Sequence, residues 1–146
     1  MGDQTTRRGI YVASRATVPE RVAMWRTLHA EGHDIVSSWI DAPDVGECDW
    51  SDLWERIGRE IAGCARLVLY VEPEDVPLKG ALVEIGMALA GGVPVVVVAP
   101  GVVLEPRSMR PLGSWLMHPL VTRRDTIAEA MAPEDGTGAI RRNARR

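Results

Sequence analysis

Apolar and polar residues fall along this chain in blocks with two different periods. Compact apolar runs occur at GIYVAS (9–14), HDIVSSWI (33–40), RLVLYVEP (66–73) and VPVVVVAPG (93–101). β-Branched and aromatic residues crowd these runs, and Pro or Gly punctuates their ends, so each predicts a strand. Between them the apolar residues recur at helical spacing. Residues 18–32 carry Val22, Met24, Trp25 and Leu28 and stop at Gly32; residues 48–64 open on an Asp or Ser cap and align Leu53, Ile57 and Ile61. LKGALVEIGMALAGG (78–92) predicts a third helix. After residue 101 the pattern weakens to an irregular loop, a short strand near 120–121 and a last helix over 123–131.

Strands alternating with helices imply βαβ units, and the unbroken apolar runs of the third and fourth strands suit a sheet covered on both faces. The expected fold is a single α/β domain. It is a doubly wound, mostly parallel sheet of about five strands, of the Rossmann or flavodoxin-like kind, with helices on both faces. The domain is expected to span 1–132, followed by a basic tail over 133–146. Ligands of such sheets sit beyond the carboxyl ends of the strands, where the strand order reverses. That rule selects Ser14 and Arg15 after the first strand, Trp39 and Asp41 after the second, Glu72 to Asp75 after the third, and the start of the following helix.

In that helix one residue is out of keeping. Glu84 is flanked by apolar residues or glycine at 81–83 and 85–90. A helix apolar all round is buried, and a buried carboxylate is costly unless it is paired or its pKa shifts. Either Glu84 turns to solvent near the helix start, where the helix dipole favours an acid, or it is kept for chemistry. A carboxylate at this edge of a sheet can attack an anomeric carbon or stabilise an oxocarbenium ion.

Composition narrows the function classes. The 146 residues are 46% hydrophobic and 25% charged, as in ordinary globular chains, and no apolar run approaches the roughly 20 residues of a membrane span. The N-terminus has no signal-peptide pattern, and Cys48 and Cys64 make no disulfide framework, so a cytoplasmic location is expected. Four arginines lie in the last six residues, and setting that tail aside turns the net charge of −3 into −7. An acidic body argues against nucleic acid as a partner. No GxGxxG or GxxxxGK[ST] occurs, and Gly32 ends the helix between His29 and His33. No metal and no cofactor is expected. His118 reads as a loop histidine, and GSW (113–115) lacks the context of a nucleophile elbow. Among five tryptophans, Trp25 and Trp54 read as core, while Trp39 and Trp115 are candidates to stack on a planar base.

The order and spacing of IYVAS, GHDIVSSWID and KGALVEIGMALAGGVPVVVVAPG, over most of residues 9–101, resemble the nucleoside 2-deoxyribosyltransferase superfamily, which includes deoxynucleoside 5′-monophosphate hydrolases. The resemblance implies N-glycosidic bond cleavage by a glutamate in an E-[IL]-G-x-A helix, matched by Glu84, Ile85, Gly86 and Ala88. It implies that Tyr11 supports Glu84, that Ser14 and Arg15 bind a phosphate, and that copies associate into a homo-oligomer. Arg107, Ser108 and Arg110 are candidates for a residue lent between subunits or for phosphate contact. The chain departs from the family's D-x-G-T-x-x-E: Leu78 stands at the aspartate position and Ala81 at the threonine, while Gly80 and Glu84 match. A substitute acid would come from Glu72, Glu74 or Asp75, with Asp75 preferred for proton transfer, and Lys79 is placed to meet an anion. Two readings from other classes compete: a protein that binds a nucleotide or signal molecule without cleaving it, and a scaffold using WLMHPLV (115–121) as a contact.

Overall fold

The computed structural model describes residues 6–41 and 49–133; Cys48 and almost all of the expected basic tail lie outside them. Four strands, β1 (Ile10–Ala13), β2 (Arg66–Tyr70), β3 (Val95–Val98) and β4 (Val121–Arg124), form one sheet in the order β1-β2-β3-β4. Every pair is parallel. Around them lie α1 (Pro19–Ala30), α2 (Trp50–Gly63), α3 (Gly80–Ala90) and α4 (Ile127–Met131). No helix is long and apolar enough to cross a membrane among the described residues.

Alternation along each strand divides the core in two. Tyr11, Ala13, Leu67, Leu69, Val95 and Val97 join Ile57 and Ile61 of α2 and Ile85 and Ala88 of α3 in one cluster. Ile10, Val12, Val68, Val96 and Val98 join Trp25 of α1 and Ala130 and Met131 of α4 in the other. Helix α2 begins at Asp49, whose carboxylate accepts from the backbone N–H groups of Ser51 and Asp52, as the sequence suggests.

The segment expected as the second strand behaves differently. It makes one parallel bridge, Ile10 to Ile35, with Ile10 N–H donating to Asp34 and Val36 N–H to Ile10. Further along, side chains replace the ladder. Val12 N–H donates to Ser37 Oγ at 2.6 Å, and Trp39 Nε1 donates to the Val12 carbonyl at 2.8 Å. With both backbone groups of Val12 taken, the chain leaves the sheet as a 3-10 turn, Ser38–Asp41. Ile35 lies on one side of β1 and β2 on the other.

The last helix is also shorter than expected. Residues 121–124 pair with β3, and α4 starts only after Thr126, whose Oγ1 accepts from Glu129 N–H while Glu129 accepts from Thr126 N–H. This Thr-x-x-Glu capping box is the signal that the helical reading of 123–131 overlooked.

Gly9 is required where β1 meets its bridging segment. Its φ is +81°, and a Cβ would lie 2.3 Å from Val36 Cγ1 and 3.0 Å from the Asp34 carbonyl oxygen. Gly9→Ala is expected to destabilise the fold by about 1–3 kcal/mol, seen as a lower urea midpoint with an unchanged slope.

Candidate functional site

A cavity of about 410 Å³ opens beyond the carboxyl ends of β1 and β2. This volume lies in the range that holds a small organic ligand. Ser14 and Arg15 follow β1 into it, Trp39 comes from the 3-10 turn, and Asp75 from the loop after β2. Leu53, Trp54 and Ile57 of α2 line it together with Leu78, Lys79, Gly80, Ala81 and Glu84 at the start of α3.

Glu84 is buried, 9% exposed. It is thus not the solvent-turned acid of a helix terminus. Tyr11, wholly buried on β1, donates its hydroxyl to Glu84 Oε2. Strand alternation turns Tyr11 to the α2/α3 face, and helical spacing turns Glu84, Ile85 and Ala88 of α3 back onto the same face. Burial pushes the Glu84 carboxyl up to about 7, against the opposing pull of the Tyr11 hydrogen bond. Burial first, and the adjoining Glu84 charge second, push the Tyr11 hydroxyl well above its ordinary range. The tyrosine therefore keeps its proton and serves as a fixed donor. Near neutrality Glu84 is available in both protonation states.

The remaining expected residues divide. Ser14 is half-buried and its Oγ accepts from Trp25 Nε1 at 2.8 Å, which leaves its own O–H to donate. Arg15 and Lys79 are exposed cations on the lining, and Arg15 Nη1 donates to the Glu74 carbonyl at 3.1 Å. Trp39 offers its ring to the cavity while its Nε1 is tied to β1. Gly80 begins α3, whose N-cap, Lys79, makes no side-chain capping hydrogen bond.

Asp41 departs from expectation: it does not line the cavity. The 3-10 turn buries Ile40 and leaves Asp41 at the surface, 3.7 Å from Arg26 Nε. Asp75 lines the cavity, but its Oδ2 already accepts from Arg21 Nη1 at 2.6 Å and from Glu72 N–H at 2.8 Å. Glu72 pairs with Arg21 at 2.9 Å and accepts from the Tyr70 hydroxyl at 2.6 Å, and Glu74 is exposed. Neither glutamate lines the cavity.

Arg107, Ser108 and Arg110 stand in a loop organised by Glu105, which accepts from the backbone N–H groups of Arg107 and Ser108 and from the Ser108 hydroxyl. They do not line the cavity. Trp115 donates to the Leu112 carbonyl and packs on the core, and His118 Nδ1 accepts from Leu120 N–H. Trp25, read as core, is fully buried.

Two contributors escaped the sequence reading. Trp54, read as core, is a half-buried cavity wall whose ring lies beside Gly80. Helical spacing identifies the inner face of α2 but not that the first turn of that face overhangs a cavity. Arg21, buried on α1, anchors Asp75 and Glu72 and lies 5.2 Å over the Tyr70 ring. Burial alone pulls its guanidinium down, yet the Asp75 hydrogen bond and the charges of Asp75 and Glu72 hold it above its ordinary value.

No protein-family model and no curated protein sequence matches the chain.

The raised Glu84 pKa predicts a stability slope. Below pH 4.5 the group is neutral in folded and unfolded chains alike; as pH rises to about 7 the unfolded chain ionises first, so stability falls. The full loss for this one group is on the order of 3 kcal/mol, and it is complete above the folded pKa. Glu84→Gln removes the slope, so the variant should gain on the wild type between pH 4.5 and 7 in chemical denaturation.

Proposed function

We propose that the cavity binds a 2′-deoxynucleoside or its 5′-monophosphate and that Glu84 cleaves the N-glycosidic bond, as in the nucleoside 2-deoxyribosyltransferase superfamily that the chain resembles. The observation that carries this reading is the buried Tyr11–Glu84 pair on the wall of a cavity bounded by Trp39 and Trp54. We read the sheet as the doubly wound type, with the Ile35 segment standing for a strand beyond β1 so that the strand order reverses at β1, and such sheets take their ligands at that reversal.

The two indoles suit the faces of a flat base. The Ser14 hydroxyl, Arg15, Lys79 and the N-terminal N–H groups of α3 suit a phosphate at the mouth. Glu84, as carboxylate, attacks C1′ while the C1′–N bond breaks, giving a glycosyl ester. Water or a second base then displaces Glu84 from C1′, and the two inversions retain the anomeric configuration. Tyr11 fixes the carboxylate and donates to the oxygen that carries its charge. No metal or cofactor enters these steps.

Glu84→Gln should lower base release by at least about 1000-fold, measured by chromatography over a panel of nucleosides and 5′-monophosphates. Tyr11→Phe should lower it about 10- to 100-fold. Since the ionised form attacks, kcat/KM should rise with pH and level off above about 7. Loss of the Tyr11 donor should move that inflection upward. A new nucleoside formed with an added base would make the protein a transferase. A protein that is stabilised by a nucleotide yet releases no base would be the binding protein that the loss of the family aspartate at Leu78 favours.

We also propose a homo-oligomer. The outer face of α3 exposes Leu82, Val83 and Met87 at 41%, 51% and 37%, an apolar patch on the helix that carries Glu84. Met87→Asp is expected to give a smaller particle in light scattering without unfolding the chain.

A further inference from the structure

The groups around Glu84 bear on how a base can leave. Among the described residues lining the cavity, the carboxylates are Glu84 and Asp75. Asp75 is 5% exposed, and its Oδ2 is engaged as an acceptor by Arg21 and by Glu72 N–H. Tyr11 holds its proton toward Glu84. The cations Arg15 and Lys79 are solvent-exposed, Ser14 and Thr17 bring only alcohol hydroxyls, too weakly acidic to protonate a leaving base, and the rest of the lining is aromatic, aliphatic or glycine. An ordinary nucleobase leaves as an anion unless an acid protonates it. A base joined to C1′ through a quaternary, positively charged ring nitrogen needs no such acid, because it departs neutral.

We propose that the preferred substrate is a nucleotide whose base is a cationic heterocycle, a pyridinium nucleotide being the simplest. The proposal rests on the glycosidase reading above and names its substrate class. Glu84 lines the cavity as counter-charge, and the indoles of Trp39 and Trp54 on the same lining attract a ring cation. The free carboxyl, held near neutrality by burial, is drawn to its ionised, nucleophilic form by the arriving cation. A carboxylate oxygen of Glu84 then bonds to C1′, and the electron pair of the C1′–N bond stays on the ring nitrogen, which becomes neutral. Water adds to C1′ and frees Glu84 as carboxylate. The sugar keeps the hydroxyl, and one proton passes to solvent.

The charge can be varied at nearly constant shape with carbocyclic nicotinamide mononucleotide, which is not cleaved, and its reduced, neutral-ring form. Tryptophan fluorescence should show the wild type binding the cationic form at least about tenfold tighter. Glu84→Gln should shrink that preference to the small part that the two indoles supply. In parallel, nicotinamide should be released from nicotinamide mononucleotide or its 2′-deoxy counterpart by the wild type and not by Glu84→Gln. Equal affinity of the wild type for the two ring charges would overturn the proposal. Release of thymine or a purine from neutral-base nucleotides, without release of nicotinamide, would overturn it and leave the glycosidase reading standing. Absence of release from every nucleotide tested would overturn both.

Discussion

A carboxylate set against the core of a parallel sheet must find a donor, and in this protein the donor is Tyr11. The contact joins β1 to α3 across 73 residues of chain. It needs β1 in the register that turns Tyr11 and Ala13 toward α2 and α3, and it needs α3 rotated so that Glu84 lies inward with Ile85 and Ala88. A shift of β1 by one residue would put Tyr11 on the opposite face and leave Glu84 unpaired among apolar side chains, a loss of several kcal/mol. The two hydrophobic clusters, the strand register and the pair support one another.

A second set of charges fixes the loop that closes the cavity on the β2 side. Arg21 reaches from α1 to Asp75 and Glu72, and Glu72 also holds Tyr70. Desolvation from burial comes first for the Tyr70 hydroxyl, with the hydrogen bond to Glu72 adding to it, and together they push it up to about 12. Removing one member of such a network strands the others, which makes it a rigid support rather than a source of mobile protons.

How much of this was legible in the sequence depended on the range of the interaction. The βα alternation is local, and it specified an α/β sheet with its long helices near their observed positions. Glu84 stood out because its neighbours at 81–83 and 85–90 are all apolar or glycine. The segment 33–40 has a strand's composition, but Ser37 and Trp39 satisfy Val12 from their side chains, and one backbone bridge remains. The candidate Asp75 reads as a free acid until Arg21, 54 positions earlier, is seen beside it. Trp54 shares the helical period of core residues, and only the arrangement of α2 against α3 makes it a wall. Asp41 fails because one turn of 3-10 helix carries it past the cavity edge.

The bonds from Ser37 and Trp39 have another effect. An open strand edge is a template on which another chain can pair. At Val12 the N–H and the carbonyl are both already occupied, and the chain beyond Ile35 turns across that side of the sheet. Beside the cavity, β1 therefore offers no rung for an incoming strand at Val12, so the fold resists fibril-like stacking along this border through side-chain hydrogen bonds to its own backbone.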